Sequence, residues 1–289
     1  RRYSAYGEDY AKTKDYHFTG GFEKGIWDWG TVSSDFSFRR RRAYSYFPGA
    51  NAGWNPTMRS KIDTIGAMPR YSLEKDLMGM QNNLIAGVDV YRSDYNADTY
   101  DIEDTIQSLT AINKSSAGVY AQDSLSILPK LTAVGGYRYE WVRYEFDYKD
   151  ASGSPWAAGP VDDKAEKIAR VYNCGLIYAY RQGSEVFVNH SKSFRFPAAD
   201  EYFTWGTLDV GLKPQRSRNF DAGLRHWVTE YLKCAVTFFL MNIKDELFFN
   251  PVGGGGFGAN ENYGRTRHEG VEFSSDIKIK DRMAIFGNY

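Results

Sequence analysis

Residues 117–148 read AGVYAQDSLSILPKLTAVGGYRYEWVRYEFDY, and the fold turns on them. In the first half Ala117, Val119, Ala121, Leu125 and Ile127 fall on one side, interrupted by Asp123, while Gly118, Tyr120, Gln122, Ser124 and Ser126 fall on the other. Period-two alternation marks a strand, because successive side chains point to opposite faces. Leu128-Pro129-Lys130 supplies the turn. In the second half Leu131, Ala133, Gly135, Tyr137, Tyr139 and Trp141 share a side, opposite Thr132, Arg138 and Glu140. Large aromatics gathered at the end of an apolar strand face suit a membrane–water interface. Beyond Trp141 the phase changes, and Val142, Tyr144, Phe146 and Tyr148 alternate with Arg143, Glu145 and Asp147. Either the strand leaves lipid there and continues as a wetted hairpin, or a bulge near Trp141 flips it.

The rest of the composition agrees with such a chain. Its 36 basic and 36 acidic residues balance, which argues against nucleic acid or a strongly charged partner. Aromatics make up 16% of the 289 residues, with 22 Tyr, the side chain that tolerates one wet end and one apolar end. No run reaches the roughly 20 apolar residues of a membrane helix. Mean hydropathy is −0.54, as in soluble proteins, yet a barrel strand shows lipid only every second residue and averages out in the same way. Arg1-Arg2-Tyr3 has no apolar signal core, so the expectation is a removed targeting segment or a start partway through a longer chain. Cys174 and Cys234 lie in strands without metal-type spacing and read as small apolar fillers rather than a disulfide.

Short turns alternate with longer loops along the chain. The spacing places tight connections at Glu23-Lys24-Gly25, Glu74-Lys75-Asp76, Leu128-Pro129-Lys130, Arg181-Gln182-Gly183, Thr229-Glu230-Tyr231 and Lys280-Asp281-Arg282. Polar, Gly- and Pro-containing loops are expected at 48–55, 95–114, 149–164, 197–212 and 250–262. Short turns on one rim and long loops on the other describe an antiparallel transmembrane β-barrel, with the short rim periplasmic. Clear alternation recurs at Leu84, Ala86, Val88 and Val90, at Phe220, Ala222 and Leu224, at Val236, Phe238 and Leu240, and at Val271, Phe273 and Ile277. The count is about twelve strands, which suits part of a large barrel across residues 1–289 rather than a small closed one.

These residues carry a family resemblance. GVYAQD at 118–123 with GGYRYE at 135–140, SKSFRFP at 191–197, LKPQRSRNFDAGLRH at 212–226, MNIKDEL at 241–247 and NYGRTRHEGVEF at 262–273 resemble, in order and spacing, the barrel of TonB-dependent outer-membrane receptors. The resemblance covers the chain from about Gly79 onward. It implies a segment of a barrel of about 22 strands, in the bacterial outer membrane and against its lipid. It also implies a plug domain and an N-terminal coupling box that this sequence does not contain. The implied function is receptor-mediated uptake of a scarce chelated nutrient, a ferric siderophore first, energised by the TonB complex, with no chemistry on the ligand. SKSFRFP loosely resembles a box of haem receptors, but no His lies between Phe196 and Lys213, so haem ranks lower.

An anionic ferric chelate calls for aromatics and Arg near the outer rim, to stack flat groups and pair carboxylates or catecholates. Candidates are Trp54, Trp156, Arg195, Tyr202, Phe203 and Trp205. Gly118 and the Gly135-Gly136 pair read as places where the strand bends or a bulky neighbour crosses. In the Arg39 to Arg42 run, two side chains point each way, so a rim facing sugar phosphates suits it better than nucleic acid. Catalysis has little support: His190 precedes Ser191, but neighbours on a strand face opposite ways. His17, His226 and His268 lack metal-ligand spacing, so neither an enzyme, a bound metal nor a cofactor is expected. Two other classes remain open, a passive porin-like channel and a soluble Tyr-rich β binding protein.

Overall fold

The computed structural model describes residues 7–48, 57–154, 159–204, 207–253, 258–279 and 283–289. The strands are β1 (Tyr10–Gly25), β2 (Thr31–Tyr46), β3 (Thr57–Leu77), β4 (Met80–Tyr100), β5 (Ile106–Leu128), β6 (Leu131–Asp150) and β7 (Val161–Arg181). They continue with β8 (Ser184–Arg195), two short strands β9 (Phe203–Thr204) and β10 (Thr207–Leu208), then β11 (Gln215–Trp227), β12 (Leu232–Asn250), β13 (Ala259–Ile279) and β14 (Met283–Asn288). All but β9 and β10 form one 12-stranded antiparallel sheet in chain order, a meander in which each strand pairs with its sequence neighbour. The expected twelve strands are present.

Directly paired residues share a face, so the register sorts every side chain. Val88 sits opposite Val119, Val119 opposite Tyr139, and Tyr137 opposite Tyr172. This outer face stays exposed although it is apolar, with Val119 at 53%, Phe238 at 44% and Val271 at 61%. The other face is polar and cross-linked: Thr64 and Ser93 share a 2.9 Å hydrogen bond, and Asn189 Nδ2 donates to Asp221 at 3.2 Å. An apolar outside and a polar inside invert a soluble sheet and suit a wall between lipid and a wet lumen. The single flaw in the apolar side of β5, Asp123, accepts a 2.6 Å hydrogen bond from Asn82 Nδ2 of the next strand.

Three connections differ from the sequence expectation. Glu74, Lys75 and Asp76 are not a turn but ladder residues opposite Asn83, Asn82 and Gln81. The chain reverses at Met78 and Gly79, with φ of 54° and 78°, the pair of left-handed residues that a two-residue hairpin requires. Glu23, Lys24 and Gly25 likewise remain in β1, and the reversal occupies 26–30 with Gly30 at φ 93°. The loop expected at 95–114 shrinks to 101–105, because β4 and β5 run on as a paired hairpin. The turns at 129–130, 182–183 and 228–231 lie where the sequence put them, while Lys280-Asp281-Arg282 falls outside the described residues.

No bulge flips β6. Its register with β5 is unbroken from Ser108↔Asp150 to Ser126↔Thr132, passing Ala117↔Trp141. The apolar pattern changes sides because the surroundings do. Above Trp141 the outer face is wet and carries Arg143, Glu145 and Asp147, whereas Val142, Tyr144, Phe146 and Tyr148 on the inner face are buried. What buries them is the long connection between β8 and β11.

Candidate binding surface

The main packed core of the molecule lies at the mouth of this wall. Residues 196–204 and 207–214 fold back against the inner face, where Ala199, Tyr202 and Leu212 join Tyr95, Ala97, Ile112, Val142, Tyr144, Phe146 and Leu247. The Tyr202 ring meets Tyr144 and Phe146 edge-on, each at 4.9 Å between centroids, and Tyr144 stacks on Phe146 at 5.9 Å. Each aromatic so enclosed contributes about 2–3 kcal/mol of burial. Beside them Lys114 extends its ammonium to 5.4 Å from the Tyr144 centroid, and burial lowers its pKa.

Polar bonds fix the connection's path. Tyr144 Oη donates to Pro197 O at 2.7 Å, and Asn260 Nδ2 donates to Glu201 O at 3.0 Å. Glu201 also accepts from the Ala198 amide at 2.7 Å and from Arg195 Nη1 at 2.7 Å. At the far end Asn262 bridges the strands, accepting from the Lys213 amide and donating to Lys213 O and Asp245 O.

The six sequence candidates distribute unevenly. Trp54, Trp156 and Trp205 lie outside the described residues. Phe203 belongs to β9, and its side chain is not among those described. Arg195 ends β8 on the inner face, its guanidinium already held by Glu201 and by a 3.4 Å hydrogen bond to Leu247 O. Tyr202 is 1% exposed, so its ring anchors the connection in this conformation. Arg195 and Tyr202 therefore come together through Glu201, one before and one after Pro197.

Sequence reading overlooked the inner-face cluster lower on the wall. Arg138 Nη1 meets Asp89 Oδ2 at 2.6 Å, its Nε donates to Glu140 Oε2 at 2.7 Å, and its guanidinium lies 5.3 Å from the Tyr120 centroid. Gly118 makes room for it: a Cβ there would collide with Glu140 and Arg138. In the Arg39 to Arg42 run, Arg39 pairs with Asp15 inside and Arg40 with Asp63 outside, at 2.7 Å in the latter. His190 and Ser191 do face opposite ways; His190 bonds Asn219 O at 2.9 Å. Among the described residues no group of three His, Cys, Asp or Glu has metal-binding geometry, and both cysteines are free thiols.

A family model described as TonB dependent receptor-like, beta-barrel, matches residues 1–289. No curated relative matches by sequence. Among solved structures, the ferric-catecholate import receptor Fiu of E. coli K12, in its closed form, aligns with TM-score 0.72 at 17% identity, over 94% of this chain and 46% of Fiu. The siderophore receptor PiuA of Acinetobacter baumannii aligns with TM-score 0.75 at 13% identity, over 97% of this chain and 47% of PiuA. The hemophore receptor HasR of Serratia marcescens aligns with TM-score 0.72 at 18% identity, over 93% and 47%. The chain spans about half the length of these structures. With the lipid-type outer face, the polar inner face and the match along all 289 residues, the chain belongs to the TonB-dependent receptor-like β-barrel family, whose members are transporters rather than enzymes.

Proposed function

We propose that this chain is part of the wall of an outer-membrane receptor that takes up a scarce metal chelate, a ferric siderophore first. In the intact protein a plug domain and a coupling box, supplied by polypeptide outside these 289 residues, complete the device and draw energy from the TonB complex. The observation that carries this reading is the packing of Pro197, Ala199, Tyr202 and Leu212 against the inner face at the mouth, where a ligand would enter. Structurally similar proteins include a ferric-catecholate import receptor and a siderophore receptor, which supports the ligand class. Absence of His between Phe196 and Lys213 keeps haem below them.

Trp54, Trp156, Phe203 and Trp205 are the proposed stacking surface for the ligand, with Arg195 as its cation. The Arg195–Glu201 pair gives that cation a switch: an anionic ligand would compete with Glu201 for the guanidinium. Tyr202 acts by holding the connection. The test is binding of ferric catecholate to the intact receptor by tryptophan quenching, for wild type and for a variant with Arg195→Ala and Trp205→Ala. A fall in affinity of about tenfold or more is expected; unchanged affinity sinks the site.

The soluble binding-protein reading falls with the family assignment. A passive channel remains the second reading, favoured by the wet inner face, and it predicts high conductance in planar bilayers. A plugged receptor predicts near silence there.

A further inference from the structure

On the outer face of β8, β11, β12 and β13, two rows above the apolar band are almost wholly cationic. Lys192 sits opposite Arg218, and Arg218 opposite Asn242, which faces Arg267. In the next row Arg216 sits opposite Lys244, and Lys244 opposite Arg265. Adjacent strands are about 4.8 Å apart, so six positive side chains share one small area. Arg267 has an anion, Glu269. Lys192, Arg216, Arg218, Lys244 and Arg265 make no ion pair among the described residues.

Elsewhere on the same face, at the same level, opposite charges are matched. Arg40 and Lys61 meet Asp63, Arg92 meets Asp94, and Arg143 meets Glu145, all within 3.2 Å. Like charges directly opposite across a sheet are destabilising, so the β8–β13 patch lacks a compensation that the β2–β7 side builds in. Beneath it, past a row formed by His190, Phe220, Leu240 and Glu269, the wall is apolar and exposed, with Phe238 at 44% and Val271 at 61%. A partner that meets both layers carries acyl chains below and anionic groups above them.

We propose that this patch is a seat for a phosphorylated lipid of the outer leaflet, whose phosphates lie among Lys192, Arg216, Arg218, Lys244 and Arg265 while its chains cover the apolar band. The guanidinium forks of Arg216, Arg218 and Arg265 suit phosphate oxygens. The seat rests on the outer-membrane reading of the chain but is independent of which nutrient is carried.

The test uses the intact receptor floated with phosphatidylcholine vesicles. These contain either a bis-phosphorylated glycolipid or the same glycolipid stripped of phosphate, and the glycolipid that stays with the protein after detergent extraction is measured. Wild type is expected to retain the phosphorylated form selectively. A variant carrying Arg216→Gln, Arg218→Gln, Lys244→Gln and Arg265→Gln should lose about tenfold or more of that retention while keeping its heat-dependent gel shift. Arg216→Lys with Arg218→Lys and Arg265→Lys should keep most of it. Equal retention by wild type and the Gln variant, or equal retention of the dephosphorylated glycolipid, would overturn the seat. Failure of wild type to float with either vesicle would instead overturn the membrane reading, and the seat with it.

Discussion

The hydroxyl of Tyr144 donates a 2.7 Å hydrogen bond to the carbonyl oxygen of Pro197, joining the middle of one wall strand to a connection 53 residues away. Both partners are buried, so the bond has no water to replace it. Tyr144→Phe should cost about 1 kcal/mol and raise amide exchange at residues 198–204 without unfolding the wall. Tyr144→Ala, which also removes the ring from Phe146 and Tyr202, should cost about 3–5 kcal/mol. Exchange rates at 198–204 that match wild type in Tyr144→Phe would deny the bond a role in holding the connection.

Tyr202 presents the opposite case. Its ring is enclosed by Tyr144 and Phe146, yet its hydroxyl is buried without a hydrogen-bond partner. Tyr202→Phe should therefore be neutral, or stabilising by up to about 1 kcal/mol, whereas Tyr202→Ala should cost about 3–5 kcal/mol. Resistance of residues 196–204 to limited proteolysis reads out both, and a Phe variant cut as readily as the Ala variant would contradict the packing.

Two glycines seventeen residues apart should behave oppositely. At Gly118 a methyl group would meet Glu140 and Arg138, while at Gly135 nothing lies within 4 Å. Gly118→Ala should cost about 1–3 kcal/mol by overpacking, and Gly135→Ala should stay within about 0.5 kcal/mol of wild type. Midpoints of the heat-dependent gel shift in detergent would separate them; equal midpoints would remove the argument that Gly118 seats the Arg138 cluster.

Much of this wall is legible in the sequence, because each strand reports its own two faces. Alternation at Ala117 to Ile127 and at Phe220 to Leu224 sorts lipid side from lumen side without any knowledge of neighbours. The switch at Val142 is visible too, but its cause is not, since Tyr144 and Phe146 pack on Tyr202 and Leu212, which no local pattern connects to them. Turn positions suffer from a competing cue. The charged triplet Glu74-Lys75-Asp76 looks like a turn, whereas the backbone needs positive φ and takes it at Met78-Gly79. The candidate site is less legible still. That Arg195 is engaged by Glu201 depends on how the chain bends at Pro197, and the Asp89–Arg138–Glu140 cluster joins residues on two strands 49 positions apart.

Above the apolar band the outer face responds to acid. Asp63 is held at about 2, below its usual 3.8, first by hydrogen bonds from Arg40 and then by Lys61, against the opposing effect of burial. A carboxylate whose pKa is lowered by folding adds stability above its unfolded value and loses it as pH falls through the folded one. Pairing between β2 and β3 beyond Ile65 should therefore loosen between pH of about 4 and about 2, by no more than about 1 kcal/mol for a partly solvated pair. Asp63→Asn should show the loosened state already at neutral pH and a flat profile across that window. Amide exchange at residues 57–63, followed against pH in both proteins, checks this. A slope that persists in Asp63→Asn would assign the acid response to another carboxylate.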